Sequence, residues 1–386
     1  MAQIFDAIVI GLGGMGSAAA CRLALRGKRI LGLEQYTPAH DKGSSHGKTR
    51  IIRQAYYEDP AYVPLLLRGY ELWNQIEHDT RRKLLTITGG LMLGSPDGQV
   101  FAGSLRSATE HNLSHEILEA SDIAKRFPPL TPPGGTVALY ETQSGFLRPE
   151  DCVLAHLERA AGLGATLQFG EKVLAWQAHN DSVAVTTSAG SYQAQHLVVA
   201  PGAWAPEILS DLRLPLVVER HVLYWFDPMG GIEPFLPDRF PIFIWETEDG
   251  LQPYGFPAVD GPEGGVKTSF YRAPSIRLCT PDTIDRSVHE NEIAQIRTAI
   301  SRLIPSLNGA LLDAVTCIYT NTPDKNFIVA RHPWHSNVLI ACGFSGHGFK
   351  FCSVVGEILA DLVERGQTRH DIRLLAPERF NRPAVE

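Results

Sequence analysis

The first 34 residues contain the feature that most constrains the fold. Residues 6–10 form an apolar run typical of a buried parallel strand, and a glycine-rich segment follows at once. Its glycines have the spacing G-x-G-x-x-G: Gly11, Gly13 and Gly16. The Ala- and Leu-rich residues 17–26 predict a helix, and residues 28–33 predict a second strand that ends at Glu34. Strand, glycine turn, helix, strand and acid in this order predict a dinucleotide-binding unit.

Each part of this unit has a physical role. Gly11 allows the tight turn, Gly13 lets the backbone approach a pyrophosphate, and Gly16 allows the helix to pack closely on the strand. The helix N-terminus attracts phosphate charge. The Glu34 carboxylate can accept hydrogen bonds from a ribose diol. This unit alone leaves both FAD and NAD open.

Composition excludes several classes of protein. A net charge of -7 and the lack of any basic run argue against nucleic acid as a partner. No signal peptide is recognised, and no apolar stretch reaches the ~20 residues that span a bilayer, so we expect no membrane partner. Scattered cysteines without C-x-x-C pairs predict a cytoplasmic protein without disulfides or a metal site: Cys21, Cys152, Cys279, Cys317, Cys342 and Cys352.

Several later segments are predicted to join the dinucleotide-binding unit that the first 34 residues begin. A donor-rich loop at 43–53 follows the second strand, at the sheet edge where open α/β sheets bind ligands. A strand is predicted at 166–173, and a buried strand ending at Ala200 leads to Gly202, which could approach the same cofactor. A last strand at 337–341 leads into a second glycine-rich turn. Between them, an aromatic-rich region begins near residue 216 and predicts an inserted antiparallel sheet with a helix at 285–303.

Several motifs together give the sequence a family resemblance that runs nearly end to end. They are the Gly11 fingerprint, Gly43-Ser44-Ser45-His46-Gly47-Lys48-Thr49-Arg50-Ile51-Ile52-Arg53, Tyr254-Gly255-Phe256-Pro257, Cys317-Ile318-Tyr319-Thr320, and Gly343-Phe344-Ser345-Gly346-His347-Gly348-Phe349-Lys350. With them the chain resembles the monomeric sarcosine oxidase and N-methyltryptophan oxidase family of flavoproteins. The resemblance implies an α/β fold, with a Rossmann-type FAD-binding domain and an inserted mixed or antiparallel β-sheet substrate domain. We assign 1–83, 150–215 and 320–386 to the first domain, and 84–149 and 216–319 to the second.

The resemblance also implies the chemistry. It implies an FAD-dependent oxidase of a secondary amine that carries a carboxylate. A neutral amine passes a hydride equivalent from its α C–H to flavin N5, the imine is hydrolysed, and O2 is reduced to H2O2. The flavin is expected to be covalently attached through Cys317, although composition alone would make this residue a small buried hydrophobe. We expect the enzyme to be a monomer.

The resemblance assigns individual roles by matched position. Arg53 and Lys350 hold the substrate carboxylate, and Arg50 stabilises negative charge on the reduced flavin. Lys267 holds a water near flavin N5 and promotes the reaction with O2, while tyrosines line the substrate pocket: Tyr254, Tyr319 and Tyr271. The positions assigned to the cofactor are Gly11, Gly13, Gly16, Glu34, Ser44, His46, Thr49, Arg50, Val173, Gly202, Cys317, Gly343, Gly346, Gly348 and Lys350.

The sequence departs from the family pattern near Lys267 and in the loop at 43–53. Tyr271 occupies the position of a family histidine, and Ser45 and Lys48 replace a histidine and an aspartate. Tyrosine hydrogen-bonds but does not titrate near neutral pH as histidine does. We therefore expect a substrate other than sarcosine, with larger N-methyl or N-alkyl amino acids and cyclic secondary amino acids both open.

The sequence leaves three alternatives to an oxidase open. The first is a flavin-dependent amine dehydrogenase that uses an acceptor other than O2. The second is a nicotinamide-dependent dehydrogenase, which the glycine fingerprint allows but Cys317 and the C-terminal glycine turn do not favour. The third is a non-catalytic flavin-binding protein, in which the cations Arg53, Lys267 and Lys350 would have no use.

Overall fold

The structure, a computed structural model, describes residues 4–275 and 277–380, and within them three sheets and eight α-helices. The helices are α1 (Gly14–Leu25), α2 (Val63–Thr80), α3 (Gln99–Glu110), α4 (Ala120–Arg126), α5 (Pro149–Gly162), α6 (Ala205–Ile208), α7 (Glu290–Leu303) and α8 (Cys352–Arg365). The strands are β1 (Ile4–Ile10), β2 (Ile30–Glu34), β3 (Arg50–Ile52), β4 (Leu85–Ile87), β5 (Gly90–Gly94), β6 (Glu116–Glu119), β7 (Val137–Glu141), β8 (Gly145–Leu147), β9 (Thr166–Phe169), β10 (Val173–Ala178), β11 (Val183–Thr187), β12 (Ser191–Val199), β13 (Val217–Phe226), β14 (Ile242–Trp245), β15 (Gln252–Gly255), β16 (Val266–Arg272), β17 (Arg277–Leu278), β18 (Leu311–Asn321), β19 (Ile328–His332) and β20 (His335–Cys342).

The first sheet has a parallel centre made of strands that are far apart in sequence. β1 pairs in parallel with β2 on one side and β12 on the other, and β12 pairs in parallel with β20. β9 extends the sheet in parallel beyond β2, whereas β10, β11 and β19 add antiparallel pairings. The central strands are apolar and buried, as parallel strands covered on both faces must be. Their carboxyl ends therefore form one common edge.

Helix packing against this sheet depends on small residues. Ala18, Ala19 and Ala20 of α1 are fully buried. A Cβ added at Gly356 of α8 would approach the Ala18 backbone to 2.7 Å, so α1 and α8 cross at close range only because this position is glycine. The shared core of α1, α2, α5 and α8 fixes the N-terminus of α1 beside the carboxyl edge of the sheet.

The second sheet forms a separate layer with its own aromatic core. Its strands run in the order β17-β13-β16-β15-β14-β5-β7-β6, and β18 pairs along β13. All pairings are antiparallel except that of β5 with β14, so the sheet is mixed. Helix α7 packs on this core through Ile296 and Ile300. A third, three-stranded sheet combines β3, β4 and β8. The α/β class with an added mixed sheet is confirmed, whereas the residue boundaries of the two domains stay a prediction.

Two predicted elements have different bounds in the structure. The predicted strand at 166–173 is interrupted because Gly170 adopts a φ of 71°, so one strand ends at Phe169 and another begins at Val173. The predicted helix at 285–303 begins only at Glu290. Buried Arg220 takes the carbonyl oxygens of Asp285 and Ser287, which are therefore not available for a helical turn.

Within the described residues, no helix combines the length and the apolar character needed to cross a bilayer.

Candidate active site

A long cleft opens at the carboxyl edge of the first sheet, with about 1360 Å³ of empty space. Its walls come from the turns that follow β1, β2, β12 and β20, which are the positions where parallel α/β sheets bind ligands. Ten of the predicted cofactor residues line it: Gly11, Gly13, Glu34, Ser44, Arg50, Val173, Gly202, Gly343, Gly346 and Gly348.

Two glycines make the first turn of the cleft possible. Gly11 has a φ of 81°, and a Cβ there would come within 2.5 Å of the Ala200 carbonyl oxygen. A Cβ at Gly16 would overlap the carbonyl oxygen of Gly11. Gly16 lies outside the cleft wall, in keeping with its predicted role in helix packing. The first turn of α1 therefore borders the cleft, where the helix N-terminus can attract an anion.

Glu34 is buried and ionised at the end of β2. Its Oε2 accepts a hydrogen bond from the Leu12 amide at 2.9 Å, and its Oε1 accepts one from the Tyr36 amide at 3.1 Å. Burial alone would raise the pKa of this carboxyl, but His40 and the two amides hold it below its usual value. An ionised carboxylate in the cleft wall suits a ribose diol, which donates two hydrogen bonds.

Two polar atoms in the cleft wall have no hydrogen-bond partner among the described residues. They are Nε1 of Trp204 and Oγ1 of Thr320, both buried. Buried polar groups are almost always hydrogen-bonded, so these atoms fit a polar occupant of the cleft. Together with the glycine turn and Glu34, they fit the predicted FAD. The described residues contain no group of three metal-ligating side chains.

A second cavity of about 550 Å³ adjoins the cleft. Arg50, Tyr319, Gly346 and Phe349 line both spaces. All residues predicted for the substrate side, except Lys267, line this cavity: Arg50, Arg53, Tyr254, Tyr271, Tyr319 and Lys350. The structure thus brings segments from the first and last parts of the chain around one space.

Arg53 is not a free cation in this cavity. Its Nη2 donates to Glu58 Oε2 at 2.5 Å, and its Nη1 donates to the Ala55 carbonyl oxygen at 2.8 Å. The neighbouring Glu58 keeps the pKa of Arg53 high despite burial, and Arg53 holds the pKa of Glu58 below its usual value against burial. Nε of Arg53 and Oε1 of Glu58 are both buried, and within residues 4–275 and 277–380 neither has a hydrogen-bond partner.

Lys350 lies beside this ion pair, and its ammonium group loses its proton more easily than an exposed lysine does. Burial, and then the positive charge of Arg53, lower the pKa of Lys350 to about 7. Its Nζ donates to the His347 carbonyl oxygen at 2.6 Å. The His347 ring donates from Nε2 to the Lys325 carbonyl oxygen, so its Nδ1 accepts from the Tyr56 hydroxyl. Burial lowers the pKa of His347 to about 4, which keeps this ring neutral.

Tyrosines form the remaining wall of the cavity. The hydroxyls of Tyr254 and Tyr319 lie 3.4 Å apart. The Tyr271 hydroxyl donates to the Ser345 carbonyl oxygen at 3.1 Å, and burial raises the pKa of Tyr271 further above neutrality. At this position, therefore, the cavity has an uncharged aromatic wall rather than a titratable ring.

Besides Gly16, four predicted residues lie behind the walls rather than on them: His46, Thr49, Lys267 and Cys317. Lys267 is buried, and its Nζ donates to the carbonyl oxygens of Gly47 and Thr49 and to the Thr49 hydroxyl, at 2.6, 2.9 and 3.1 Å. Burial and then Arg50 lower the pKa of Lys267 well below its usual value. Burial lowers that of His46 to about 3.

Cys317 lies on β18 next to residues that line the cleft. Its Sγ is fully buried and lies 3.5 Å from Nη2 of Arg50, which faces both spaces. The same guanidinium donates to the carbonyl oxygens of Ser44 and Thr49 at 2.7 and 2.8 Å. A cation is thus held in place between the cleft, the cavity and this thiol.

Glu58 and His347 were not predicted as site residues. Glu58 lies five positions after Arg53, but a single carboxylate in a loop has no recognisable spacing. His347 lies within the glycine-rich turn at 343–350, and this motif is the sequence signal that points to it. Both residues line the second cavity, where Glu58 contributes negative charge and His347 a neutral ring.

Comparison with known proteins identifies the family. The family model described as FAD dependent oxidoreductase matches residues 6–362. The chain belongs to this family. The monomeric sarcosine oxidase of Streptomyces avermitilis is 53% identical over 98% of this chain and 99% of its own length. The N-methyl-L-tryptophan oxidase of Escherichia coli is 33% identical over 97% and 99%.

The fold of the family is also found at lower identity. L-proline dehydrogenase from P. horikoshii matches with a TM-score of 0.85 at 23% identity, covering 99% of each chain. Family membership confirms FAD as the cofactor that the glycine fingerprint left undecided, and it confirms the predicted relationship to the sarcosine and N-methyltryptophan oxidases.

Proposed function

We infer that this chain is an FAD-dependent oxidase of secondary amines that carry a carboxylate. Family membership and the relationship to two named amine oxidases support the reaction type. The bound cofactor supplies the acceptor for a hydride equivalent from the C–H next to nitrogen, and a route for its two electrons to O2. The substrate becomes an imine that water hydrolyses, and O2 with two electrons and two protons becomes H2O2.

The observation that carries the proposal is the unpartnered Nε of Arg53 in the second cavity. A buried guanidinium N–H without an acceptor fits a carboxylate, which can take this N–H and one from the neighbouring ammonium. Lys350 offers that ammonium below its pKa of about 7. We propose that Arg53 and Lys350 hold the substrate carboxylate, so that the amine is turned toward the cleft.

The aromatic wall directs the rest of the substrate. Tyr319 lies between the cavity and the cleft, and Tyr254 lines the cavity beside it, where their rings can limit the positions of the amine. The Tyr271 hydroxyl donates to the Ser345 carbonyl oxygen, so this residue offers the substrate an aromatic ring surface rather than a titrating group. This supports a substrate with more apolar surface than sarcosine, either a larger N-alkyl amino acid or a cyclic secondary amino acid.

We propose covalent attachment of the flavin through Cys317. Its Sγ is buried, lies 3.5 Å from Nη2 of Arg50, and adjoins Ile318, which lines the cleft. Arg50 would also meet negative charge that develops on the reduced cofactor.

We propose that Lys267 promotes the reaction with O2, as a fixed buried cation behind the loop that carries Arg50. Its burial in a low-dielectric setting strengthens its effect on developing negative charge. We also propose a monomer that works in the cytoplasm, in keeping with six free cysteines. Size-exclusion chromatography with light scattering tests the monomer.

One experiment tests the function as a whole. The flavin-loaded protein is mixed anaerobically with N-methyl, N-alkyl and cyclic amino acids, and the loss of flavin absorbance near 450 nm is followed. Bleaching by one of these amines, followed by stoichiometric H2O2 when air is admitted, is the expected result. Bleaching without peroxide would point to the dehydrogenase alternative, and no bleaching with any amine would refute the enzyme assignment.

A further inference from the structure

The loop that carries Gly47, Lys48 and Thr49 is held between opposite charges. On one side, Oε1 of Glu150 accepts hydrogen bonds from the amides of Gly47 and Lys48 at 2.6 and 3.1 Å. On the other side, Nζ of Lys267 donates to the carbonyl oxygens of Gly47 and Thr49 and to the Thr49 hydroxyl. The loop therefore turns N–H groups toward an anion and oxygens toward a cation.

The backbone of this loop does not follow local preference. Gly47 and Lys48 both have positive φ angles, 91° and 68°. Successive amides in such a conformation form a concave donor surface that binds an anion, and Glu150 occupies it here. Lysine rarely adopts this backbone conformation. The contacts from Glu150 and Lys267 are therefore what keeps the loop in this shape.

Lys267 is surrounded mostly by positive or neutral groups. From the loop it faces Arg50, Lys48 and His46, from β18 it faces Cys317, and from α5 it faces Glu150. Arg50 and Lys267 even share the Thr49 carbonyl oxygen as an acceptor. Arg50 and Lys48 oppose the charged form of Lys267, whereas the Glu150 carboxylate favours it.

We propose that Glu150 is a positioning residue for the reaction of the reduced flavin with O2. Glu150 fixes Lys267 through the 47–49 loop and keeps the Lys267 amine protonated. This rests on the proposed role of Lys267 with O2. The first turn of α5 supplies Glu150, so the proposal extends the working site to a side chain that lines neither the cleft nor the second cavity.

The direct test measures the charge of Lys267 rather than activity. The flavin-loaded enzyme is labelled with 13C at lysine Cε, and its NMR signals are titrated with pH. The Lys267 signal is identified by its loss in Lys267→Met. In Glu150→Gln, the titration midpoint of Lys267 is expected to fall by about one pH unit, since an opposite charge at short range shifts a pKa by roughly that amount. Glu150→Asp keeps the charge and is expected to restore most of the midpoint.

A kinetic test separates charge from mere structural damage. Reduced enzyme is mixed with O2 over a range of pH. Glu150→Gln is expected to move the alkaline decline of the reoxidation rate to lower pH, with about a tenfold loss of rate above the midpoint. Glu158→Gln, on the exposed part of α5, is the control and is expected to change neither the midpoint nor the rate.

The outcomes distinguish this inference from the function it rests on. An unchanged Lys267 midpoint in Glu150→Gln would overturn the inference, as would a rate that falls equally at every pH. If Glu150→Gln does not retain flavin, Glu150→Asp still decides: its shorter side chain withdraws the carboxylate from the loop, so its Lys267 midpoint must lie below that of the wild type, and an unchanged midpoint would overturn the inference. Reoxidation of Lys267→Met at the wild-type rate would refute the role of Lys267 with O2, whereas the NMR titration would still judge its coupling to Glu150.

Discussion

Replacement of Arg53 by methionine tests the buried ion pair at the centre of the second cavity. The change leaves Glu58 buried with its main partner gone, while the volume and apolar stem of the arginine side chain are largely kept. The side chains of Arg53 and Glu58 are 1% and 10% exposed, so solvent cannot replace the lost contact at 2.5 Å. We expect both lower stability and weaker substrate binding.

The magnitude follows from the surroundings of Glu58. Loss of one partner of a buried ion pair destabilises a protein by about 3–5 kcal/mol. Arg53 lowers the pKa of Lys350, so without Arg53 the neighbouring ammonium favours the ionised Glu58 carboxylate more strongly, and the expected loss is about 3 kcal/mol, at the lower end of this range. In Arg53→Met with Glu58→Gln, no uncompensated charge remains, and most of the loss should be recovered.

The expected pH dependence has a definite sign. In the wild type, the pKa of Glu58 is lowered, so its contribution to stability is present above the unfolded pKa of about 4.3 and is lost as the pH falls. Without Arg53, burial raises the folded pKa above the unfolded one. The destabilisation in Arg53→Met should therefore be complete at pH 8 and smaller at pH 5, where the carboxyl begins to take a proton.

Denaturant unfolding of the flavin-loaded enzymes at pH 5 and pH 8 measures these differences, and KM for the amine measures binding. The reasoning is refuted if Arg53→Met loses less than about 1 kcal/mol at pH 8, or if the double variant is as unstable as the sum of its single changes. An unchanged KM would refute the role of Arg53 with the substrate carboxylate.

Further predictions concern four other positions. Cys317→Ser should release yellow flavin into the supernatant after acid precipitation, whereas the wild-type flavin should stay with the protein; flavin in both supernatants would refute the attachment. Because only protonated Lys350 binds a carboxylate, KM should rise as the pH increases through about 7, and Lys350→Met should remove this rise while KM stays high at all pH. Tyr271→His should introduce a titration between pH 6 and 8 into substrate binding and improve kcat/KM for sarcosine relative to larger amines, and a flat profile would contradict it. Gly16→Ala should abolish flavin retention, measured as the absorbance ratio at 450 and 280 nm, because the added methyl group overlaps the Gly11 carbonyl oxygen.

The cofactor end of the molecule was predictable because its signals are local. The fingerprint at Gly11 sets the backbone of one turn, and Glu34 follows at the end of the next strand. The strand before Gly202 and the strand before Gly343 repeat the same apolar pattern, and in the structure both pair in parallel within the predicted sheet. These features can be recognised without knowing which residues far apart in sequence contact each other in the fold.

The contacts that shape the second cavity were not predictable from sequence alone. The partners of Lys267 lie 218 and 220 positions away, and their carbonyl oxygens leave no mark in the sequence. The pairing of Arg53 with Glu58 depends on how one loop folds back on itself. The late start of α7 has the same origin, since Arg220 competes for carbonyl oxygens that a helix would use.

The assembly of the first sheet from distant strands bears on the synthesis of this enzyme. The cleft needs β20 beside β12, and α8 against α1, yet β20 and α8 are among the last described segments to leave the ribosome. A nascent chain that has emerged only as far as β18 has the fingerprint and Cys317 but lacks the wall formed by the second glycine turn. Capture of FAD must therefore follow the synthesis of β20 and of the glycine turn after it, and a supply of the cofactor can stabilise only chains that already contain these segments.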